Sequence, residues 1–366
     1  SGTVPGTSAI AGAYESIKNN PDIGWEKAFK QDYGFDLYFF GDRFKTTFDY
    51  YREHRTDILL HDGTVPSILG FETPAENLGV VDSWGYELSL KWNDKIGKDF
   101  MYWAGVNLSY NQNEIKEEKE APLNNSYQYE KGHRIGARSQ YKFYRFYDAE
   151  TPALYEKEFG EKFPTQLAGA KLKPGDAVYV DLDHNGIIDG NDQHRIGKNS
   201  SPRGQYGISI DLNYKGWFMN MLWQGATSKD FYFGDKLQGQ GSDYGYLSVI
   251  YDFQRDVWTP DNRNAKFPRL RSTSKYNGSN NYGSSDFWLV NTGYIRLKSL
   301  NIGYDLKHKV LKRVPWITKC DVSLSGYNLL TFSESNKYDI DPEIGNTNLY
   351  TYPVSRVYSI SFNIGF

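Results

Sequence analysis

The clearest structural signal lies in Val357–Phe366, "VYSISFNIGF". Tyr358, Ile360, Phe362, Ile364 and Phe366 alternate with Val357, Ser359, Ser361, Asn363 and Gly365. That period of two is expected of an extended strand whose faces meet different surroundings. A strand of a soluble sandwich sets aliphatic residues inward and charges outward. Here one face is aromatic-rich and the other is glycine, serine and asparagine, which suits lipid on one side and a wet lumen on the other.

Earlier in the chain, the same alternation occurs at Trp84, Tyr86, Leu88, Leu90 and Trp92, at Tyr102, Ala104, Val106, Leu108 and Tyr110, and at Tyr206, Ile208, Ile210, Leu212 and Tyr214. Similar runs lie at Tyr33 to Phe39, Phe44 to Tyr50 and Cys320 to Leu324, while 217 to 224 and 294 to 304 read as strands with blurred parity. With the last strand, this predicts nine. Trp84, Trp92, Tyr102, Tyr110, Tyr206 and Tyr214 are then expected in the two interfacial girdles of a membrane barrel. A large soluble β-sandwich or β-propeller is the alternative on pattern alone.

Composition agrees with a β reading: 16% of the 366 residues are aromatic, 30 of them Tyr, and 35 are Gly. A net charge of -3 and a pI near 6.1 give no electrostatic reason to expect nucleic acid. The single Cys320 excludes an internal disulfide. No apolar run is long enough for a membrane-spanning helix, which leaves closed barrels as the other spanning structure. The opening residues "SGTVPGTSAIAG" have neither a basic start nor an apolar core, so no secretion signal is read there.

Connection lengths sharpen the reading. Short links at Gly41 to Arg43, Asn93 to Asp99 and Lys215 to Gly216, and a moderate one around Leu306 to Thr318, alternate with long ones at about 58 to 80, 114 to 205, 225 to 290 and 331 to 355. Short periplasmic turns and long extracellular loops behave in this way. Any strands inside the 114 to 205 segment must then come as a hairpin. An odd strand count with ends on opposite sides does not close a bacterial barrel, so the chain is expected to be part of a larger one.

One motif carries specific chemistry, "DLDHNGIIDGND". Asp181, Asp183, Asn185, Gly186, Asp189 and Asp192 occupy positions 1, 3, 5, 6, 9 and 12 of a calcium loop, with the Ile187 carbonyl at position 7. Calcium wants six to eight oxygens, and Gly186 permits the sharp turn. Ile188 is expected to anchor the loop. Asp at position 12, where Glu is usual, has a shorter arm, and Pro174, Gly175, Gly197 and Pro202 argue against flanking helices. Structural Ca2+ is the expectation; an ion-free Asx-rich turn is the alternative.

The six histidines show no ligand spacing, and no nucleophile elbow or phosphate loop is present. The outer loop 225 to 286 carries Phe231, Tyr232, Tyr244, Tyr246, Tyr251 and Trp258. Of these, Tyr244, Tyr246 and Trp258 are candidates for stacking on a substrate, against the alternative that these aromatics pack the loops together.

The chain resembles the C-terminal part of a SusC/RagA-type TonB-dependent transporter of Bacteroidota. The resemblance rests on phrases in the family's order, among them "NPDIGWEKAFKQDYGFDLYFF", "NLGVVDSWGYELSL", "KPGDAVYVDLDHNGIIDGNDQHRIG", "VWTPDNRNAKFPRL", "GYIRLKSLNIGYDL" and "YPVSRVYSISFNIGF". It implies an all-β fold, the C-terminal strands of an antiparallel, 22-stranded transmembrane β-barrel with long extracellular loops, in the outer membrane. The whole of 1–366 would be barrel, the segment at about 114–205 carrying the calcium loop, and the plug and TonB box would be missing. The implied function is uptake of oligosaccharides or peptides with a SusD-like lipoprotein as lid and the TonB complex as energy source. A pair of barrels, each with a lid, is also implied, and no enzymatic role. The family's aspartate-rich loop matches Asp181 to Asp192. Phe366 and Phe362 are expected to form the signal read by the barrel-assembly machinery. The competing function is a surface glycan-binding or adhesive barrel without active transport.

Overall fold

A computed structural model of the protein describes residues 19–65, 73–196, 200–227, 229–232, 252–269, 278–343 and 354–366. Nine long strands pair in chain order as one antiparallel sheet. They are β1 Lys27–Phe39, β2 Phe44–His61, β3 Ala75–Ile96, β4 Phe100–Glu117, β5 Gly204–Tyr214, β6 Trp217–Ala226, β7 Tyr294–Asp305, β8 Lys319–Ser333 and β9 Val357–Gly365. Every strand read from the alternation is one of these.

The registers make the two faces explicit. One row across the sheet runs Leu37, Thr46, Leu90, Val106, Ile208, Trp223, Leu297 and Leu330. On the other face, Trp103, Asp211, Asn220, Asn301, Ser325 and Ser359 align. Polar partners in that row bond across strands: Asn220 donates to Asp211 at 2.6 Å and Ser325 to Asn301 at 2.9 Å. Although Leu297 is buried, much of the apolar face is open, with Leu324 57%, Ile360 69% and Phe362 71% exposed. In water each such side chain would forgo about 1.5–3 kcal/mol of burial. Hydrocarbon is the solvent that removes this penalty.

The strand ends are staggered. The β1–β2 turn closes at Phe39 and Phe44, level in register with Trp92, whereas the β3–β4 turn closes further along the same strand at Ile96 and Phe100. Strands tilted in a barrel wall require such steps. Following the turns, an inner aromatic rim links Phe44 to Trp92 and Phe100 to Tyr214 and Tyr102. Toward the outer side, Tyr86 stacks on Tyr110 at 5.4 Å. The expected girdle residues fall into these two groups, Trp92, Tyr102 and Tyr214 inward and Trp84, Tyr110 and Tyr206 outward.

Two features depart from expectation. The strands on the outer side run longer than the alternation, β2 to His61 and β3 from Ala75, because beyond the lipid both faces meet water while the backbone ladder continues. The blurred parity of β7 has a local cause. The register shifts at Lys298, so Ile295 and Leu297 share the apolar face with Leu300 and Ile302. In β6, Phe218 and Leu222 are apolar residues on the polar face, paired with Gly303 and Ser299.

The outer segments form a second body. The insert between β4 and β5 leaves and returns at one place, since Tyr110 pairs with Gly204. Inside it Arg138–Tyr141 pairs with Gln193–Ile196, and Phe143–Phe146 with Ala177–Tyr179, as two small nested antiparallel sheets in place of the single hairpin expected. The helix Thr151–Phe159 packs on the Phe143–Phe146 strand through Tyr155, which is fully buried and edge-on to Tyr144. The insert between β6 and β7 packs against it: the Tyr141 amide donates to the Ser284 carbonyl, and Phe143 lies 4.6 Å from Phe287. Phe231, Phe267, Trp288, Val290 and Ile340 make the largest apolar cluster there among the described residues.

Candidate functional site

The aspartate loop sits on this outer body. Ile188, 1% exposed, packs with Tyr141, Ala177 and Tyr179 and donates its amide to the Thr165 carbonyl at 2.8 Å. Thr165 returns a bond to Gly186 at 2.9 Å, so the loop is pinned on both sides of Ile187. Gly186 has φ +86, a conformation that a side chain would strain. The anchoring role expected of Ile188 is therefore seen.

Around this pin the side chains turn inward. Asp181 accepts from the Gly186 amide at 2.7 Å, Asp192 from Leu182 at 2.7 Å and Asp189 at 2.8 Å, and Asp189 from Asn191 at 2.7 Å. Asp181 and Asp192 are 3% and 0% exposed. One oxygen from each of Asp181, Asp183 and Asp192 lies within 4.8 Å of the others. Asn185 folds onto Asp183 at 3.0 Å and accepts the Ile187 amide at 2.8 Å, while Ile187 itself is exposed.

The electrostatics follow from crowding anions in a partly dry place. Burial, then the neighbouring Asp181, raises the Asp192 carboxyl above the usual range, and the same causes raise Asp183. Tyr127, which donates to the Asn191 carbonyl at 2.7 Å, is pushed up to about 12 by burial and the nearby carboxylates. His184 pairs with Glu161 at 2.6 Å, which raises its own pKa. An all-oxygen donor set with several converging anions fits a hard divalent cation. Among the described residues no other group of metal-ligating side chains converges in this way.

The polar face of the sheet carries a cleft of about 440 Å³ whose lining includes Asp49, Glu87, Asn107, Ser109, Gln205 and Gln224. It presents amide, hydroxyl and carboxylate groups and no cation.

Sequence reasoning missed a cluster at the outer end of this face. Arg296, 1% exposed, bonds Asp341 at 2.7 Å, Glu343 at 2.9 Å and Thr331 at 2.9 Å. Tyr294 donates to Glu343 at 2.7 Å. This fastens the segment after β8 to the wall. The signal was an arginine inside a strand, hidden by the shift at Lys298. A second tie, from fully buried Asp176 to Arg269 at 2.8 Å and Asn281 at 3.0 Å, joins the two inserts.

The substrate candidates need correction. Trp258 is 7% exposed, clustered with Phe146 and Ala265 and lying over Gly175, so its ring is core and not a stacking platform. Phe231 is likewise buried. For these two the packing alternative holds. Tyr244 and Tyr246 lie outside the described residues. Phe362 is on the apolar face, and Phe366 stacks on Trp316 at 5.8 Å.

Comparison with known proteins agrees with this geometry. Residues 1–190 match the family of the TonB dependent receptor-like β-barrel. TonB-dependent receptor P3 of Formosa agariphila is 27% identical over 99% of this chain and 36% of that protein. TonB-dependent receptor SusC of Bacteroides thetaiotaomicron is 23% identical over 95% of this chain and 32% of its own length. The RagAB peptide importer in its open-open state shares the fold with a TM-score of 0.70, at 22% identity over 96% of this chain and 36% of that one. The chain thus spans about a third of the length of these relatives. With a nine-stranded wall, an apolar outer face and a family match over more than half its residues, the chain belongs to the TonB-dependent receptor-like β-barrels of the outer membrane.

Proposed function

We propose that this chain forms part of the wall and outer loops of a TonB-dependent nutrient importer. In this reading oligosaccharides or peptides enter under a SusD-like surface lipoprotein, and the TonB complex acts through a region of the protein outside this chain. The lid and barrel would assemble as a pair of pairs, and the wall would carry out no catalytic step. The observation that supports this most is the polar face. Its cleft offers hydrogen-bond donors and acceptors from Asn107, Ser109, Gln205 and Gln224 beside the carboxylates of Asp49 and Glu87, groups that orient hydroxyl- and amide-rich solutes. Of the two solute classes, peptides are favoured by the likeness to RagAB, itself a peptide importer.

The decisive experiment measures uptake of labelled peptides and oligosaccharides in cells with and without the gene, and with TonB inactivated. Uptake lost in both backgrounds is expected. Surface binding that persists without TonB-dependent uptake would establish instead the glycan-binding or adhesive barrel.

We further propose that Asp181, Asp183 and Asp192 hold a structural Ca2+, with Asn185, Asp189 and the Ile187 carbonyl as the remaining ligands. When bound, the ion would neutralise the buried carboxylates and fix the insert. The chain's own part is to place these oxygens, through the pin between Ile188 and Thr165. Phe366 and Phe362 are proposed as the assembly signal; removal of Phe366 should lower the heat-modifiable barrel recovered from membranes.

A further inference from the structure

The connection between β7 and β8 differs from the other short links. It opens with the helix Leu306–Lys309, whose first turn is capped by Asp305 accepting from the Lys307 amide at 2.8 Å. Lys307 then folds back, its Nζ donating to the Val314 carbonyl at 2.6 Å and the Leu311 carbonyl at 3.3 Å. Buried Ile317 closes the turn. The result is a shaped connection whose remaining cations, Lys309, Lys312 and Arg313, are all exposed.

None of these three forms an ion pair among the described residues. In the other inner turns Arg43 meets Asp94 at 3.2 Å and Lys215 meets Asp99 at 3.7 Å, while Lys98 stands without an ion pair among the described residues. No acidic residue stands between Asp305 and Asp321, and Asp321 is buried, accepting from Asn363 at 2.8 Å. The uncompensated charge sits beside apolar groups left in the open. Val310 is 67% and Trp316 63% exposed. Trp316 lies parallel to Phe366, within 2°, next to the apolar-face residues Ile364 and Phe362. The short turns face the periplasm, so the turn stands at the level of the inner-leaflet head groups.

We propose that residues 306–318 form a docking surface for anionic phospholipid head groups of the inner leaflet. Lys309, Lys312 and Arg313 hold the phosphates, while Val310 and Trp316 enter the interface. Interfacial tryptophan and unpaired basic residues are the two features that such a surface needs. The surface depends on the barrel's orientation and not on any cargo, so failure of the transport reading leaves it standing.

The test uses the full-length protein that contains this chain, reconstituted in nanodiscs of phosphatidylethanolamine mixed with phosphatidylglycerol. Lipid retained after extraction is counted by native mass spectrometry. Preferential retention of phosphatidylglycerol is expected, falling about fivefold for each cation removed in K309Q, K312Q and R313Q. The charge-preserving pair K309R and K312R should keep it, as should K98Q in the β3–β4 turn. Equal retention of both lipids by the unaltered protein, or full retention by the triple glutamine variant, would overturn the proposal. So would capture of an acidic periplasmic protein in place of lipid. If the triple variant does not assemble, a salt titration of the unaltered protein decides: retention that falls with ionic strength supports the surface, and retention indifferent to salt refutes it.

Discussion

The wall and the outer body are built from one chain but from opposite rules. In the wall the large apolar side chains are the exposed ones, Ile360 and Phe362 among them, and the opposite face is polar. In the outer body Tyr155, Tyr179 and Trp288 are at most 1% exposed, and buried aspartates are paired or bonded to backbone amides. The first region needs lipid to complete it, whereas the second supplies its own apolar interior. Stability in this protein therefore has two separate sources, and a single unfolding free energy would describe neither.

That separation can be tested by mutation. The largest effect is expected from Trp288→Ala, which empties the centre of the apolar cluster and should cost the outer body about 3–5 kcal/mol. Limited proteolysis would show the outer segments cut while the wall keeps its heat-modifiable migration; loss of both together would mean that the two regions fold as one. Next, Leu324→Arg places a charge near the middle of the lipid-facing surface, with an expected loss of about 2–4 kcal/mol in vesicle-folding titrations. The neighbouring Ser325→Arg, on the polar face, should change the same titration by much less.

If the proposed Ca2+ fills the aspartate loop, a chelator should lower the stability of the outer body alone, by about 2.7 kcal/mol when the ion had been present at a hundred times its dissociation constant. Asp192→Asn should abolish that response. The smallest effect is expected at Asp286, whose carboxylate accepts from the Phe143 amide at 2.8 Å and whose pKa is raised by burial. A carboxyl with a raised folded pKa favours the fold below its unfolded value, near 3.8, and that contribution is lost as pH rises through the folded value. At pH 7 Asp286→Asn should therefore stabilise the outer body slightly, and thermal melts should show the gain vanish on acidification.

What could be read from sequence follows the same division. Tyr86, Leu88 and Leu90 alternate with Glu87, Ser89 and Lys91 because each strand faces lipid on one side and water on the other, so all nine strands were visible. Residues 75–83 escaped because above the lipid nothing forces alternation. The convergence of Asp181, Asp183 and Asp192 was legible since their oxygens come from neighbouring positions. Arg296 was not: its partners Asp341 and Glu343 lie on a distant segment, and the shift at Lys298 disguised its face. Trp258 was misjudged for the same reason, since its burial depends on Phe146 and Gly175, far away in the chain.

The junction where the β4–β5 insert begins and ends has a consequence for descent. Tyr110 and Gly204 stay paired whatever lies between them, and the pairing below continues to Phe100 and Tyr214. A gene could therefore lose, lengthen or acquire this insert by recombination at that point without disturbing the wall. Barrels built in this way can change what they show to the outside without re-pairing the strands that the membrane covers.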